Sequence, residues 1–585
     1  MKNIKLKILL AFLVASAFYA CKKSFLEIKP NGVLDEATLS TEKGVNKILL
    51  SAYAVLDAAD QGLGLSGQWG SSGSNFVFGS MAGGEANRGS TPNDQGPNMT
   101  NCLRHEFAPT NLALNERWKV TYEGVKRTNT VIQVLANVAS ISDANRKNIM
   151  GQARALRAWY HFQARILWGK VPYLDEKIAA DLASGIIKSV PNDVEIYPKI
   201  IEDAKYAYDN LPASQDAKGR INKWVAGAIY GKILMFAKDY ATAKTVLTDV
   251  VANGTTPLGV HFDLNTNFDD NFNVAFDNSK ESVFAFQSSA QDGSGGYNAN
   301  WGDNLNMPAQ IGGAGFFCPT YFFTNYFKTD ANGLPVASPQ NKVVLDTAGV
   351  PVVGGPSAGS LGYSPYTANV DTRLDWTVGR NGVPFHDWGT YATGWQRDKT
   401  AGPFAGKKIM IRQSQVATAH DASLWFSSGG TSLNMNLIRF SDVILLLAEA
   451  EIEAPGGSLA NAFTLINRVR TRAQNSAVVA FPATLGVPVT KPYTVAFATQ
   501  AEARTAVRLE RLLELGMEGH RFFDLVRWGT AITELTAFYN YESAIPYQTN
   551  GDLTPKPTYT GGSKQDYYAI PQQQIDLSSG IIKQN

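Results

Sequence analysis

Arg508-Leu-Glu510-Arg511-Leu-Leu-Glu514-Leu-Gly516-Met-Glu518-Gly519-His520-Arg521-Phe-Phe523-Asp524-Leu-Val-Arg527-Trp528-Gly529 sets acids and bases among Leu, Phe and Trp. A solvated helical face has no need of large aromatics between its charges. The run therefore reads as helix whose charges are partly buried and paired with charges on neighbouring helices. Removing one partner of a buried pair costs about 3–5 kcal/mol, because the other charge is left unpaired in a low dielectric. These are scaffold residues, not candidates for ligand contact.

The helical apolar period recurs upstream. Segment 42–58 carries Val45, Ile48, Leu49, Ala52, Val55 and Leu56 at that spacing. Segments 115–137 and 142–168 are longer, with an N-cap expected between them at 140–143. Segment 193–210 follows. Segment 224–238 passes through Asp239-Tyr240 into a second run ending at Val251, with Gly231 and Ala243 placed for close helix approach. That hairpin resembles a tetratricopeptide unit. Segments 437–454, 459–473 and 500–518 add pairs at comparable spacing. The expected fold is mainly α: a tetratricopeptide-like scaffold of helical pairs at about 42–58, 115–252 and 437–535.

Two intervals, 61–109 and 287–432, break the period and form a loop-rich region with a few short strands. Segments 282–287 and 408–412 are β-like, and 342–347 with 350–353 predicts a hairpin. Loops this long inside a compact protein are commonly functional, and their aromatics argue against disorder. Trp69 lies near Asn75 and Phe76; Trp301 precedes Asp303 and Asn304; Trp388 and Trp395 flank Tyr391. A sugar ring offers an apolar C–H face and a rim of hydroxyls. Flat, rigid aromatics beside Asn or Asp match both. The candidate ligand-binding residues are thus Trp69, Asn75, Phe76, Trp301, Asp303, Asn304, Trp388 and Trp395. The competing reading packs each of them beneath its own loop.

Other patterns carry less. A net charge of +2 gives no reason to expect a nucleic-acid partner. Gly62-Leu-Gly64-Leu-Ser-Gly67 follows a helix and enters a loop, the wrong context for a dinucleotide fingerprint. Gly355-Pro-Ser357-Ala-Gly359 has no helix after it, as a nucleophile elbow requires. His105, His161, His261, His386, His420 and His520 are scattered, so no metal site and no cofactor is expected. Asp263, Asn265, Asn267 and Asp269 alternate like a calcium loop, but Phe268 and Val274 stand where glycine and glutamate belong. Asp371 and Asp375 are one of many possible carboxylate pairs, the motive for a glycosidase alternative. Cys102 and Cys318 are read as free, packed thiols.

At the N-terminus Lys2, Lys5 and Lys7 precede an uncharged apolar stretch, 8–20, and then Cys21. The stretch is about thirteen residues, too short to cross a bilayer core of about 30 Å. It reads as a secretory signal, 1–20, with Cys21 as lipidation site of a body spanning 21–585. Phe18 and Tyr19 are bulkier than is usual before such a cysteine.

The opening run closely resembles the signature of the SusD/RagB family, surface nutrient-uptake lipoproteins of Bacteroidetes. Leu437-Ile-Arg439-Phe440-Ser-Asp442 with Leu447-Ala-Glu449-Ala450, Asn467-Arg468-Val-Arg470-Thr-Arg472-Ala473, and Tyr568-Ala-Ile-Pro571 with Lys583-Gln-Asn585 are similar to other blocks of that family, as is Phe25-Leu26-Glu27 with Pro30 after Cys21. The resemblance implies a non-enzymatic protein, lipid-anchored on the outer leaflet of the outer membrane. It implies capture of oligosaccharides and delivery to a SusC-like TonB-dependent β-barrel transporter. A peptide or other non-sugar nutrient is the alternative ligand, and a surface glycoside hydrolase the remaining one.

If Cys21 carries the anchor, Cys21→Ala abolishes labelling by a fatty-acid analogue and releases the protein from the membrane fraction. Unchanged labelling of the variant would locate the anchor elsewhere.

Overall fold

The computed structural model describes residues 40–57, 72–91, 94, 96–300, 302, 304–337, 339–340, 366–397, 399–423, 430–545 and 551–585. The signal, Cys21, Trp69, Trp301, Asp303, the hairpin expected at 342–353 and both glycine motifs discounted above lie outside these residues.

The N-terminal scaffold is a series of helices: α1 Glu42–Ala54, α2 Leu112–Ala136, α3 Asp143–Trp168, α4 Tyr197–Asn210, α5 Lys223–Phe236 and α6 Tyr240–Asn253. Each packs on the next, which is the stacking of a helical-pair array. The starts follow side-chain chemistry. Thr41, Asn111, Ser142, Asn222 and Asp239 each accept a hydrogen bond from a first-turn backbone N–H, satisfying a group that the helix leaves unpaired. Helix α4 starts at Tyr197, later than the periodicity suggested, with Pro198 in its first turn. The α5–α6 hairpin is as tight as the sequence implied. A Cβ on Gly231 would sit 2.4 Å from Leu247 and one on Gly227 2.7 Å from Val250, and Ala243 is fully buried.

The C-terminal helices are α7 Phe440–Glu453, α8 Leu459–Asn475, α9 Gln500–Leu515, α10 Arg521–Trp528 and α11 Ala531–Glu542. Helix α7 packs on α6, so the two arrays are continuous. Strands β1 Ala86–Gly89, β2 Ser282–Phe286, β3 Phe316–Pro319 and β4 Met435–Arg439 form two antiparallel pairs, β1–β3 and β2–β4.

Three readings change. First, Leu437–Arg439 belong to β4, not to the following helix. A short apolar run fits either period, and pairing with β2 decides it. Second, 408–412 is not a strand. Lys408 is buried there and donates to the carbonyls of Glu514 and Gly516, while Ile409 takes a left-handed φ of 60°. Third, 72–90 is core and not surface loop: every residue in it is buried. Its small residues allow this. A Cβ on Gly79 would lie 1.8 Å from the Gly519 carbonyl. The Gly519 N–H donates to Ser80 Oγ at 2.9 Å, and the Met517 N–H to Glu85 Oε2 at 3.0 Å. Cys102 and Cys318 are packed in the interior, as the sequence suggested.

Most charges of the signature run, Glu510, Arg511, Glu514, Glu518, Asp524 and Arg527, are buried in two balanced clusters. In the larger, Arg439 holds Glu281, Glu514 and Glu518 at 2.8–2.9 Å. Arg373 holds Asp371, Glu510 and Glu514 at 2.7–3.0 Å. Arg470 pairs with Glu510, Arg472 with Glu281 and Glu514, and Lys408 with Glu518. Five acids thus meet five bases. In the smaller, Lys232 and Arg511 share Asp442, Arg511 and Arg527 share Asp524, and Arg527 pairs with Glu449. Three acids meet three bases. Burial alone would raise the carboxyl pKa values of Asp371, Asp442, Glu514, Glu518 and Asp524, but the adjacent cations outweigh it. Glu514 is held well below the usual range, and Asp524, between Arg511 and Arg527, down to about 2. His520 is driven down to about 4 by burial and by Lys232, so it is neutral at pH 7.

Asp524→Ala is therefore expected to cost about 3–5 kcal/mol and to lower the melting temperature by several degrees. Arg521→Ala costs less, because its partner Glu534 is 32% exposed. The acid limb tests the same point. A carboxyl depressed on folding stabilises above its unfolded pKa of about 3.9, and that contribution disappears as pH falls towards 2. Stability therefore drops more steeply between pH 4 and pH 2 in the wild type than in Asp524→Asn. Equal slopes in thermal melts across that window would refute the assignment.

Candidate ligand-binding site

An open concavity that uses the second loop-rich interval lies where the end of α1, the turn 218–220 and the segment after β2 converge. Its cavity volume is ≈ 440 Å³, and it is lined by Tyr53, Lys218, Arg220, Gln287, Tyr297 and Asn298, among others. A second cleft, with Leu258, Val260 and Phe284 in its wall, shares Lys218, Gly219, Arg220, Ala285 and Gln287 with the first. The two form one groove astride the turn. Gly219 is required there. Its φ is 73°, and a Cβ would meet the Gln287 side chain at 2.5 Å.

Each wall is fixed from behind. Tyr53 donates its hydroxyl hydrogen to Gln152 Oε1 at 2.9 Å, and the Tyr53 hydroxyl oxygen accepts from the Ile221 N–H at 2.9 Å. Gln287 Oε1 accepts from Asn278 and Asn434. The glycine-rich loop is closed by the Ser289 N–H on the Asn298 carbonyl and by Asn298 Nδ2 on Asp292. It is tied down where the Gln291 N–H donates to Asp421 and its side chain to the carbonyls of Ala417 and His420. On this anchored loop Tyr297 stands 54% exposed. An open phenol ring on an anchored loop is a binding platform whose backbone loses little entropy on contact.

Tyr297 was not among the residues singled out by sequence. The signal for it lies in Gly295-Gly296-Tyr297-Asn298, where a ring and an amide follow a glycine turn. Of those that were singled out, Trp69, Trp301 and Asp303 fall outside the described residues. Asn304 opens a short 3₁₀ turn, Asn304–Asn306. The neighbour of Trp301, Asn300, is bridged to Thr431 and donates to the Leu433 carbonyl.

Asn75 and Phe76 are corrected. Phe76 is 1% exposed and stacks on Phe317 at 4.7 Å. Asn75 is buried, donating to Gln163 and accepting from Arg117. Both are held inside by the core segment 72–90 and present no face to a ligand. Trp388 and Trp395 are half-buried against a small separate core of Met307, Phe385, Tyr391, Ala405 and Met410. The Trp388 indole donates to the Ile411 carbonyl. Neither tryptophan lines the groove.

The carboxylates that could suggest hydrolysis are otherwise engaged. Asp371 is paired with Arg373 and Asp375 with Arg380, all buried. Asp263 pairs with Arg468 and Lys280, and Asp269 with Arg412. The alternating acids of that segment thus serve ion pairs in a polar loop. Among the described residues no three His, Cys, Asp or Glu side chains converge as a metal site.

Fold and groove together define a helical-repeat scaffold carrying a loop-built cleft. A family model described as the SusD family matches residues 280–585, and a second, described as starch-binding associating with outer membrane, matches residues 24–235. The chain belongs to the SusD family. It is 22% identical to SusD-like protein P25 of Formosa agariphila over 89% of both chains. It is 26% identical to a SusD-like protein of Bacteroides ovatus over 48% of this chain and 50% of that one. Among solved structures it is similar to surface glycan-binding protein A from Bacteroides thetaiotaomicron in complex with laminarihexaose, with a TM-score of 0.62 at 21% identity, covering 93% of this chain and 99% of that one. A SusD superfamily protein from Bacteroides vulgatus gives a TM-score of 0.63 at 20% identity, covering 93% and 98%.

Proposed function

We propose that this protein captures oligosaccharides at the groove and hands them to a SusC-like TonB-dependent transporter, while anchored through Cys21 to the outer leaflet of the outer membrane. The observation that carries the reading is Tyr297, exposed on an anchored loop above a cleft rimmed by Asn298, Gln287, Ser288 and Ser289. A ring platform beside amides and hydroxyls suits a sugar's apolar face and polar rim. Family membership supports it, as does the laminarihexaose complex of a protein with the same fold. Trp69 and Trp301 remain proposed platforms beside Tyr297 on the sequence pattern alone. Several weak contacts along one chain suffice, because a second contact on a bound polymer is intramolecular.

Tyr297→Ala is expected to weaken binding of the glycan ligand by about 1–3 kcal/mol, the usual loss for one stacking platform, or roughly five- to 150-fold. The melting temperature stays within about a degree, since the ring packs on little. A glycan and peptide array identifies the ligand, and titration calorimetry beside thermal melts decides. Unchanged affinity in Tyr297→Ala, Trp69→Ala and Trp301→Ala alike would remove the groove as the site. Released reducing ends from a polysaccharide would instead favour the hydrolase.

A further inference from the structure

The turn that divides the groove carries positive charge that its surroundings leave largely uncompensated. Arg220 faces both clefts. Its guanidinium lies 5.5 Å from the Tyr53 ring centroid and makes one long hydrogen bond, 3.5 Å, to Gln152 Oε1. No carboxylate pairs with it among the described residues. The arginines of the two buried clusters each meet an acid, whereas half-buried Arg220 meets an amide and a ring. Lys218, two residues away, lines both clefts and is exposed.

Among the described residues the two bases outnumber the acids lining the clefts. Asp57 is the one carboxylate among the described residues lining either cleft. Asp277 acts on Lys218, but burial pushes its own carboxyl up to about 7, so near neutrality it carries part of a charge. Asp292 is turned to Ser294 and Asn298 within its loop. The guanidinium is a planar fork suited to paired oxygens, and Tyr53, pinned at its hydroxyl, holds it in place.

We infer that the groove selects an anionic glycan, with Arg220 and Lys218 binding carboxylate or sulfate groups while Tyr297 supports a ring. This rests on the glycan-capture reading and adds the ligand's charge to it. On approach the anion replaces water on the guanidinium and gains charge-assisted hydrogen bonds.

The test uses the mature chain and matched polymers: polygalacturonate against its methyl ester, and a sulfated galactan against the same galactan after desulfation. Laminarin serves as a neutral reference. Binding is read by calorimetry. At least one charged member is expected to bind roughly tenfold or more tightly than its neutral partner, and which one does so separates carboxylate from sulfate. That preference shrinks as NaCl rises from about 50 to about 500 mM. Arg220→Gln abolishes the preference, and Lys218→Ala reduces it. The exposed Lys218 variant keeps the test valid should Arg220→Gln alter the fold. Equal affinity for charged and neutral partners, or equal loss on both in the variants, would overturn the inference and leave glycan capture standing. Failure of all five polymers to bind would overturn the charge selection, and if Tyr297→Ala were also silent on an array, the capture reading would fall with it.

Discussion

Arg439 and Glu514 sit at the centre of a buried network in which five acids meet five bases, and the remainder of the molecule is arranged around keeping it closed. The cost of burying so many charges is offset only if each is paired and its remaining hydrogen-bonding groups are satisfied. That requirement reaches well beyond the helices. Glu281 arrives from the start of β2, Asp371 and Arg373 from the loop-rich interval, and Lys408 from an irregular stretch. Each segment is held to the scaffold by a charge that would otherwise be unpaired in the interior. The network thus fixes loops that have little regular secondary structure of their own.

The groove follows from this. Strand β2 is clamped at one end by Glu281 and along its length by β4. Its continuation, Gln287 to Asn298, therefore leaves the core at a defined point and forms the wall that carries Tyr297. The other wall, Tyr53 and the turn 218–220, comes from the ends of scaffold helices and their links. Binding surfaces built on loops gain their precision from the rigid elements beneath, and here ion pairs connect the two.

The same logic separates aromatics that pack from aromatics that display. Phe76, Trp388 and Trp395 occur in glycine-rich surroundings much like those of Tyr297. Two features divide them: whether the loop folds back on a core, and whether the ring's edge finds a partner. Trp388 gives its indole N–H to a carbonyl beneath it, and Phe76 finds Phe317. Tyr297 keeps its face open. Local sequence does not encode that difference, because it depends on which distant segment lies underneath.

Helix identity, the α5–α6 hairpin and the pairing of the signature charges were legible in the chain, since periodicity, capping residues and small contact residues act over a few positions. Arg511, Glu514, Glu518 and Asp524 announced burial by standing among aromatics, and the structure places all of them in ion pairs. Long-range registration was not legible. That Met435–Arg439 is strand, that 72–90 runs through the core against Gly519, and that Arg220 meets Tyr53 and Gln152 rather than a carboxylate are outcomes of contacts between segments far apart in sequence. Short apolar runs fit more than one period, and glycine-rich runs fit both surface and interior. For such segments only the tertiary packing, with its demand that every buried charge and amide find a partner, selects one arrangement.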